Sequence, residues 1–331
     1  MALEDYNIKA TVQMNLVLFK FAVQHVARIS RVIANPYGNA LLIGVGGVGR
    51  QSLSKLATIM MKYEIYMIEI TKAYGIEDWK SDLKKLMTWS GIENKKISFI
   101  ITDSHIKQDT FLENIDSLIN SGEVPNLYGS EEKDSVLDRM LEKRGMSIKN
   151  EMERWEEYCS CIRMNLHVVL CMSPIGDTLR NRLRKFPSLV NCCTINCFTE
   201  WPMEALEDVS RFYFETNKLC EQKLYSDAVK ICSHFHTTVI DLSRKYNEEL
   251  RRYNYVTPTN FLQLLSTIKS TLGYKEDTMI SIKMKYERGV CKLDDAQSVV
   301  DKLKEELENL QPILIDRTNR TMAIMEEIEI E

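Results

Sequence analysis

No apolar run in these 331 residues is long enough to span a membrane. The opening Met1-Ala2-Leu3-Glu4-Asp5 lacks the basic start and apolar stretch of a secretory leader, so no export signal is expected. Nine cysteines are present, an odd number, and no two are spaced C-x-x-C. Cys192-Cys193 and Cys159-x-Cys161 are poor metal spacings, which predicts free thiols in a reducing compartment. His234-x-His236 after Cys232 resembles a zinc pattern, but these histidines diverge on a helix and are expected to be structural. Basic surplus is lacking too. With 43 Lys and Arg against 47 Asp and Glu, the net charge is -4 and the pI is near 5.9. That balance argues against a nucleic-acid partner. What is present is ordinary for a globular chain: 44% hydrophobic residues, enough for a core, and 27% charged.

Residues 8–34 place Leu16, Phe19, Val23, Val26 and Ile29 at helical spacing and predict a first helix. Asn35-Pro36-Tyr37-Gly38-Asn39 ends it. Apolar runs then follow at Ala40–Ile43, Ile65–Ile70, Ile97–Ile101 and Leu166–Met172, with a weaker one at Leu189–Ile195. Helical stretches at Asp78–Trp89 and Phe111–Asn120, and a charged region at Glu131–Glu157, lie between them. Five short strands alternating with helices predict an α/β domain over residues 1–200, its parallel sheet covered on both faces. Residues 201–275 read as a small helical domain, entered at Trp201-Pro202, with Thr257-Pro258-Thr259 starting a later helix. In residues 276–331 the only glycine is Gly289, and a heptad appears. One seam position holds Tyr286, Leu293, Val300, Leu307, Leu314, Thr321 and Ile328; the other holds Gly289, Ala296, Leu303, Leu310, Arg317 and Ile324. This predicts one strand of a coiled coil that needs a partner helix, with Pro312 bending or fraying it.

The chain is organised around Gly44-Val45-Gly46-Gly47-Val48-Gly49-Arg50-Gln51-Ser52. It follows the first apolar run and opens a helical stretch, which is the strand–loop–helix context of a P-loop. Closely spaced glycines let successive N–H groups turn inward at a helix N-terminus, where the dipole also favours phosphate. Gly44 and Gly49 keep the G-x-x-x-x-G-K-[ST] spacing, but Arg50 replaces the lysine and Gln51 the hydroxyl residue. Ser52 is one place late. The bland alternative is a generic glycine-rich βα turn. A P-loop ATPase also needs a strand ending in acid to hold Mg²⁺, often with a second acid to polarise water. Phe99-Ile100-Ile101-Thr102-Asp103 is the candidate, in two registers. Either Asp103 is the metal acid and Ser104 replaces the base, or Asp103 is the base and Thr102 replaces the metal acid. Ser52 and Asp103 are the candidates for a magnesium contact. Ser173, at the end of the Val168–Met172 run, is placed to sense a terminal phosphate, although a turn-forming Ser before Pro174 would look the same. Arg180, Arg182 and Arg184 face either a neighbouring nucleotide or solvent.

Four stretches together resemble an axonemal dynein heavy chain. They are Gly44–Leu53, Asn120-Ser121-Gly122-Glu123-Val124-Pro125-Asn126-Leu127, Val168–Asp177 and Tyr255-Val256-Thr257-Pro258-Thr259. The resemblance is to the fourth AAA+ module of the motor ring, continuing into the first helix of the stalk coiled coil, and it covers nearly the whole chain. It implies a five-stranded AAA+ large domain, a helical small domain and the ascending stalk helix. ATP or ADP would be the ligand, held by Gly44, Val45, Gly46, Gly47, Val48, Gly49, Arg50, Gln51 and Ser52, with Ser173 as first sensor. The family's downstream Phe-Leu-Glu, here Phe111-Leu112-Glu113, favours Asp103 at the glutamate position and Thr102 in place of the magnesium Asp. Thr259 stands where many modules place a sensor arginine, and Cys192 where a finger arginine would reach the preceding module. These departures imply a largely regulatory nucleotide site coupled to the stalk; an active Mg-dependent ATPase and an empty structural spacer are the alternatives. The implied partners are the neighbouring modules of the same heavy chain and the returning stalk helix. Microtubules would be met through a stalk tip outside this sequence, and dynein intermediate and light chains through the parent motor. The implied setting is cytoplasm, cytoskeleton and ciliary axoneme. On this resemblance the polypeptide is expected to be part of a longer chain.

Overall fold

The computed structural model describes residues 2–9, 14, 16–144, 150–219 and 222–330. In chain order the elements are α1 (Ala2–Lys9), α2 (Lys20–Ala34), β1 (Ala40–Ile43), α3 (Arg50–Met60), β2 (Glu64–Tyr66) and α4 (Ile76–Gly91). Next come β3 (Ile97–Thr102), α5 (Asp109–Ser121), α6 (Ser130–Arg144), α7 (Glu151–Asn165), β4 (Leu166–Met172), α8 (Thr178–Lys185), α9 (Ser188–Asn191) and β5 (Thr194–Cys197). The helices α10 (Met203–Asn217), α11 (Tyr225–Leu250) and α12 (Pro258–Ile330) complete the chain. It forms two compact units, Met1–Leu265 and Ser266–Glu331.

The strands make one parallel sheet in the order β2-β3-β4-β1-β5. One face carries Leu41, Phe99, Ile101, Val168 and Leu170, which pack in one core with Trp79, Leu83, Leu86 and Met87 of α4 and Phe111, Leu112 and Ile115 of α5. Trp79 stacks on Phe111, ring centres 4.5 Å apart. Alternation along the strands sends Leu42, Ile100, Val169 and Cys171 to the other face, where they are also buried. Here α2 contacts β1 and β5, and α3 contacts β3 and β4. Both faces are covered, so the central strands read as unbroken apolar runs rather than alternating ones.

Several expectations need correction. The helix expected over residues 8–34 is not one element: residues 8 and 9 end α1, residues 14 and 16–19 are non-helical, and α2 begins only at Lys20; residues 10–13 and 15 lie outside the described residues. The second strand stops at Tyr66 rather than Ile70. The fifth strand is Thr194–Cys197; the Leu189–Ile195 run conflated it with the short helix α9. Leu189 is buried as a helical residue, and a short apolar run cannot separate these two cases by pattern alone. Pro312, expected to bend or fray the last helix, lies inside α12, which continues to Ile330. The eight described cysteines are free thiols. Among described residues, no His, Cys, Asp and Glu group could hold a metal. Cys232 and His236 share the buried face of α11, with His236 against Phe261, while His234 lies outside that buried face.

Candidate functional site

Strand register builds the site. Ile43 pairs with Met172 and Cys197, and Thr102 with Cys171, so β1, β3, β4 and β5 end at nearly one level. Gly44, Asp103, Ser173 and Phe198 therefore leave the sheet side by side. The Gly44 N–H donates to the Met172 carbonyl at 3.1 Å, and the Phe198 N–H donates to the Ile43 carbonyl at 2.7 Å. A Cβ on Gly44 would lie 2.8 Å from the Phe198 Cβ, which explains a glycine there. The loop then turns into α3 through Gly47 at φ +81° and Gly49 at φ +95°, a left-handed region that glycine enters without strain.

The helix that follows has no side-chain cap and no acidic residue in its first turn. Its leading N–H groups are left for an anion. A second observation points the same way. Arg50 is half-buried at the head of α3, and its Nη1 is buried without a hydrogen-bond partner. Burial pulls its pKa below the ordinary guanidinium value, opposed by the fields of Cys171 and Asp103. A buried unpaired donor is costly, and an oxyanion would satisfy it.

Thr102 is buried at the end of β3, and its hydroxyl lies 2.7 Å from the Ser104 Oγ. The two oxygens of Asp103 are both engaged. Oδ2 accepts the Ser173 backbone N–H at 2.5 Å, and Oδ1 accepts Arg182 Nη1 at 2.9 Å. The Ser173 Oγ accepts the Ile175 N–H at 3.4 Å, a bond that leaves its own proton available. Of the three arginines on α8, Arg182 turns inward, while Arg180 and Arg184 are exposed. Their spacing accounts for this: positions two apart on a helix point to nearly opposite sides. Sequence reasoning singled out the cluster but not the member that reaches Asp103. Cys192 sits elsewhere, with its thiol 4.0 Å from Asn120 Oδ1.

A cavity of about 270 Å³ adjoins the loop, lined by Gly47, Gly49, Ser52, Phe19, Trp201 and Leu262 among others. Phe19 meets Trp201 edge to face at 5.0 Å, and Trp201 Nε1 is buried without a partner. A largely apolar recess with an available donor beside a phosphate loop suits a nucleotide base. No local motif marked these residues; they come from the start of α2, the entry to α10 and the head of α12. Thr259 packs its hydroxyl on Gly47, so a Cβ at Gly47 would collide with it.

The residues present thus fit a nucleotide. Magnesium fits them poorly. Gln51 occupies the usual hydroxyl position and is exposed, Ser52 lines the base-side cavity, Thr102 is neutral, and both Asp103 oxygens are taken. Mg²⁺ requires a near-octahedral oxygen shell, usually with one or two carboxylates beside waters and phosphate oxygens, and the one carboxylate here is already ion-paired to Arg182.

A parallel five-stranded sheet with a glycine loop after its first strand, an acid after its third, a polar residue after its fourth and a following helical segment defines a P-loop module of the AAA+ class. The family described as P-loop containing dynein motor region D4 matches residues 14–271, and the chain belongs to it. Mouse dynein axonemal heavy chain 1 is 40% identical over 334 aligned residues, covering 99% of this chain and 8% of that protein. Human dynein axonemal heavy chain 3 is 41% identical over 333, and human dynein axonemal heavy chain 6 is 39% identical over 332, each with the same coverage. The chain therefore spans about 8% of the length of these relatives. Membership of this family carries nucleotide binding in general and a setting in the cytoskeleton of the ciliary axoneme.

Proposed function

We propose that this chain is a regulatory nucleotide-binding module of an axonemal dynein motor, the fourth AAA+ module of its ring. In this reading residues 1–200 are the large domain, 201–275 the small domain and 276–331 the first stalk helix. It binds ATP or ADP, turns it over slowly if at all, and passes the nucleotide state to the stalk. Gly44 to Arg50 hold the phosphates, the cavity between Phe19 and Trp201 takes the base, and Ser173 reads the terminal phosphate. The neighbouring modules of the same heavy chain and a returning stalk helix are its direct partners. Microtubules and the intermediate and light chains are met through the parent motor.

The observation that carries the regulatory assignment is the state of Asp103. As the one carboxylate at the strand end, it is held by Arg182 and the Ser173 N–H, with both oxygens occupied. A general base must be aimed at the proton it abstracts, and this pairing turns the carboxylate to Arg182 and the Ser173 N–H instead. Thr102 adds no second acid. Nucleotide binding and phosphate release, measured on the same preparation beside a Gly49→Asp control, test this. Binding that the control loses, with negligible release, is expected. Turnover approaching the ~10 s⁻¹ typical of enzymes would make the module an active ATPase instead. Absence of binding, here and in the full ring, would leave a structural spacer.

A further inference from the structure

We propose that this site takes its nucleotide as the metal-free anion, with guanidinium groups supplying the positive charge that Mg²⁺ supplies in an ordinary P-loop. The inference rests on the nucleotide-binding reading above and defines the ligand's form. Four positions could give a divalent cation its protein ligands, and none is suited to it. Ser52 lines the cavity beside the loop. Gln51 replaces the loop hydroxyl. Thr102 is neutral, and its hydroxyl is paired with Ser104 at 2.7 Å. Asp103 already balances Arg182 at 2.9 Å and accepts the Ser173 N–H at 2.5 Å. A cation entering here would have to break that pair and leave the Arg182 guanidinium, only 15% exposed, without its counter-charge.

The anion finds the opposite situation. At the strand ends two guanidiniums, Arg50 and Arg182, face one carboxylate, which leaves a positive balance before any ligand enters. Arg50 is the one with a donor to give, since its buried Nη1 has no partner. A planar fork on a rigid helix start grips phosphate oxygens through directed bonds, whereas the usual lysine acts as a point charge and works beside a metal. The glycine turns and the uncapped N-terminus of α3 add backbone donors. The loop and helix N–H groups, Arg50 and Arg182 thus outnumber the one carboxylate that stands among them.

Calorimetric titration of the chain with ADP and with ATP, in excess EDTA and again in millimolar Mg²⁺, tests this. Dissociation constants within about threefold of one another in the two buffers are expected. Affinity that falls tenfold or more in EDTA would overturn the inference while leaving the nucleotide reading intact. Absence of binding in both buffers would overturn the two together. Two variants sharpen the result, each checked for native circular dichroism. Arg50→Gln should weaken binding in EDTA by about tenfold or more, the loss of a charge-assisted bond; unchanged affinity would count against the inference. Asp103→Asn should bind at least as tightly as the parent in both buffers. A loss confined to the magnesium buffer would show that Asp103 serves a metal, and the inference would fail.

Discussion

Gly47 is the position where one added methyl group meets the most resistance in the loop. Its φ of +81° is strained for any side chain, and Thr259 Oγ1 occupies the space a Cβ would need. Gly47→Ala should therefore cost about 1–3 kcal/mol in thermal or denaturant unfolding and displace the head of α12 from the loop. Gly46, with nothing within 4 Å of a Cβ and no positive φ, should tolerate the same change with little loss of stability. Trp79 is the corresponding test of the core. It is fully buried and stacked on Phe111, so Trp79→Ala should destabilise the first unit by about 3–5 kcal/mol in chemical denaturation. The glycine spacing and Asp103 were legible as residue types in a pattern. Arg182 was not, because a run of alternating arginines does not reveal which one the helix turns inward.

Among the elements, α12 makes the clearest demand. Leu293, Val300, Leu303, Leu307 and Leu310 along it are 45–71% exposed. They recur at heptad spacing, so the helix presents an apolar stripe to water. The chain should therefore self-associate with rising concentration in sedimentation experiments, and Leu303→Glu with Leu307→Glu should shift it toward monomer. A parent that stays monomeric throughout with this segment helical would remove the argument for a partner helix. Pro312 lies inside the same helix and takes away one backbone donor. Pro312→Ala should slow amide exchange in the surrounding turns, stabilising that stretch by about 3 kcal/mol. The heptad, the central strands and α4 could be read directly from periodicity. The weak fifth strand could not, since Leu189 and Ile195 lie in one apolar run that the fold divides between α9 and β5.

For the whole molecule, the histidines set a direction with pH. Burial holds the imidazoles of His25, His105, His167 and His236 below the ordinary value of 6.5. The unfolded chain then binds more protons than the folded one as pH falls past 6.5, so the stability these groups contribute is full above that pH and lost below it. Unfolding temperature should drop between neutral pH and pH values near 5, and the drop should shrink when His167, the most buried of them, is replaced by Gln. An unchanged or rising unfolding temperature over that range would contradict this. His25 ties the effect to the site, since it stacks on Phe198, which in turn packs on Gly44.

The sequence by itself determined the layered α/β plan, the place of the phosphate loop and the absence of a paired acid after β3. Each of these is local, set by apolar periodicity or by residue types within a few positions. Only the tertiary structure decided how the strand ends align, which brings Asp103 to the Ser173 N–H and Arg182 across 70 and 79 residues. It alone decided that Phe19, Trp201 and Leu262 close one cavity against the loop. Those meetings follow from strand order and helix rotation, which depend on how distant faces pack and leave no short-range pattern in the chain.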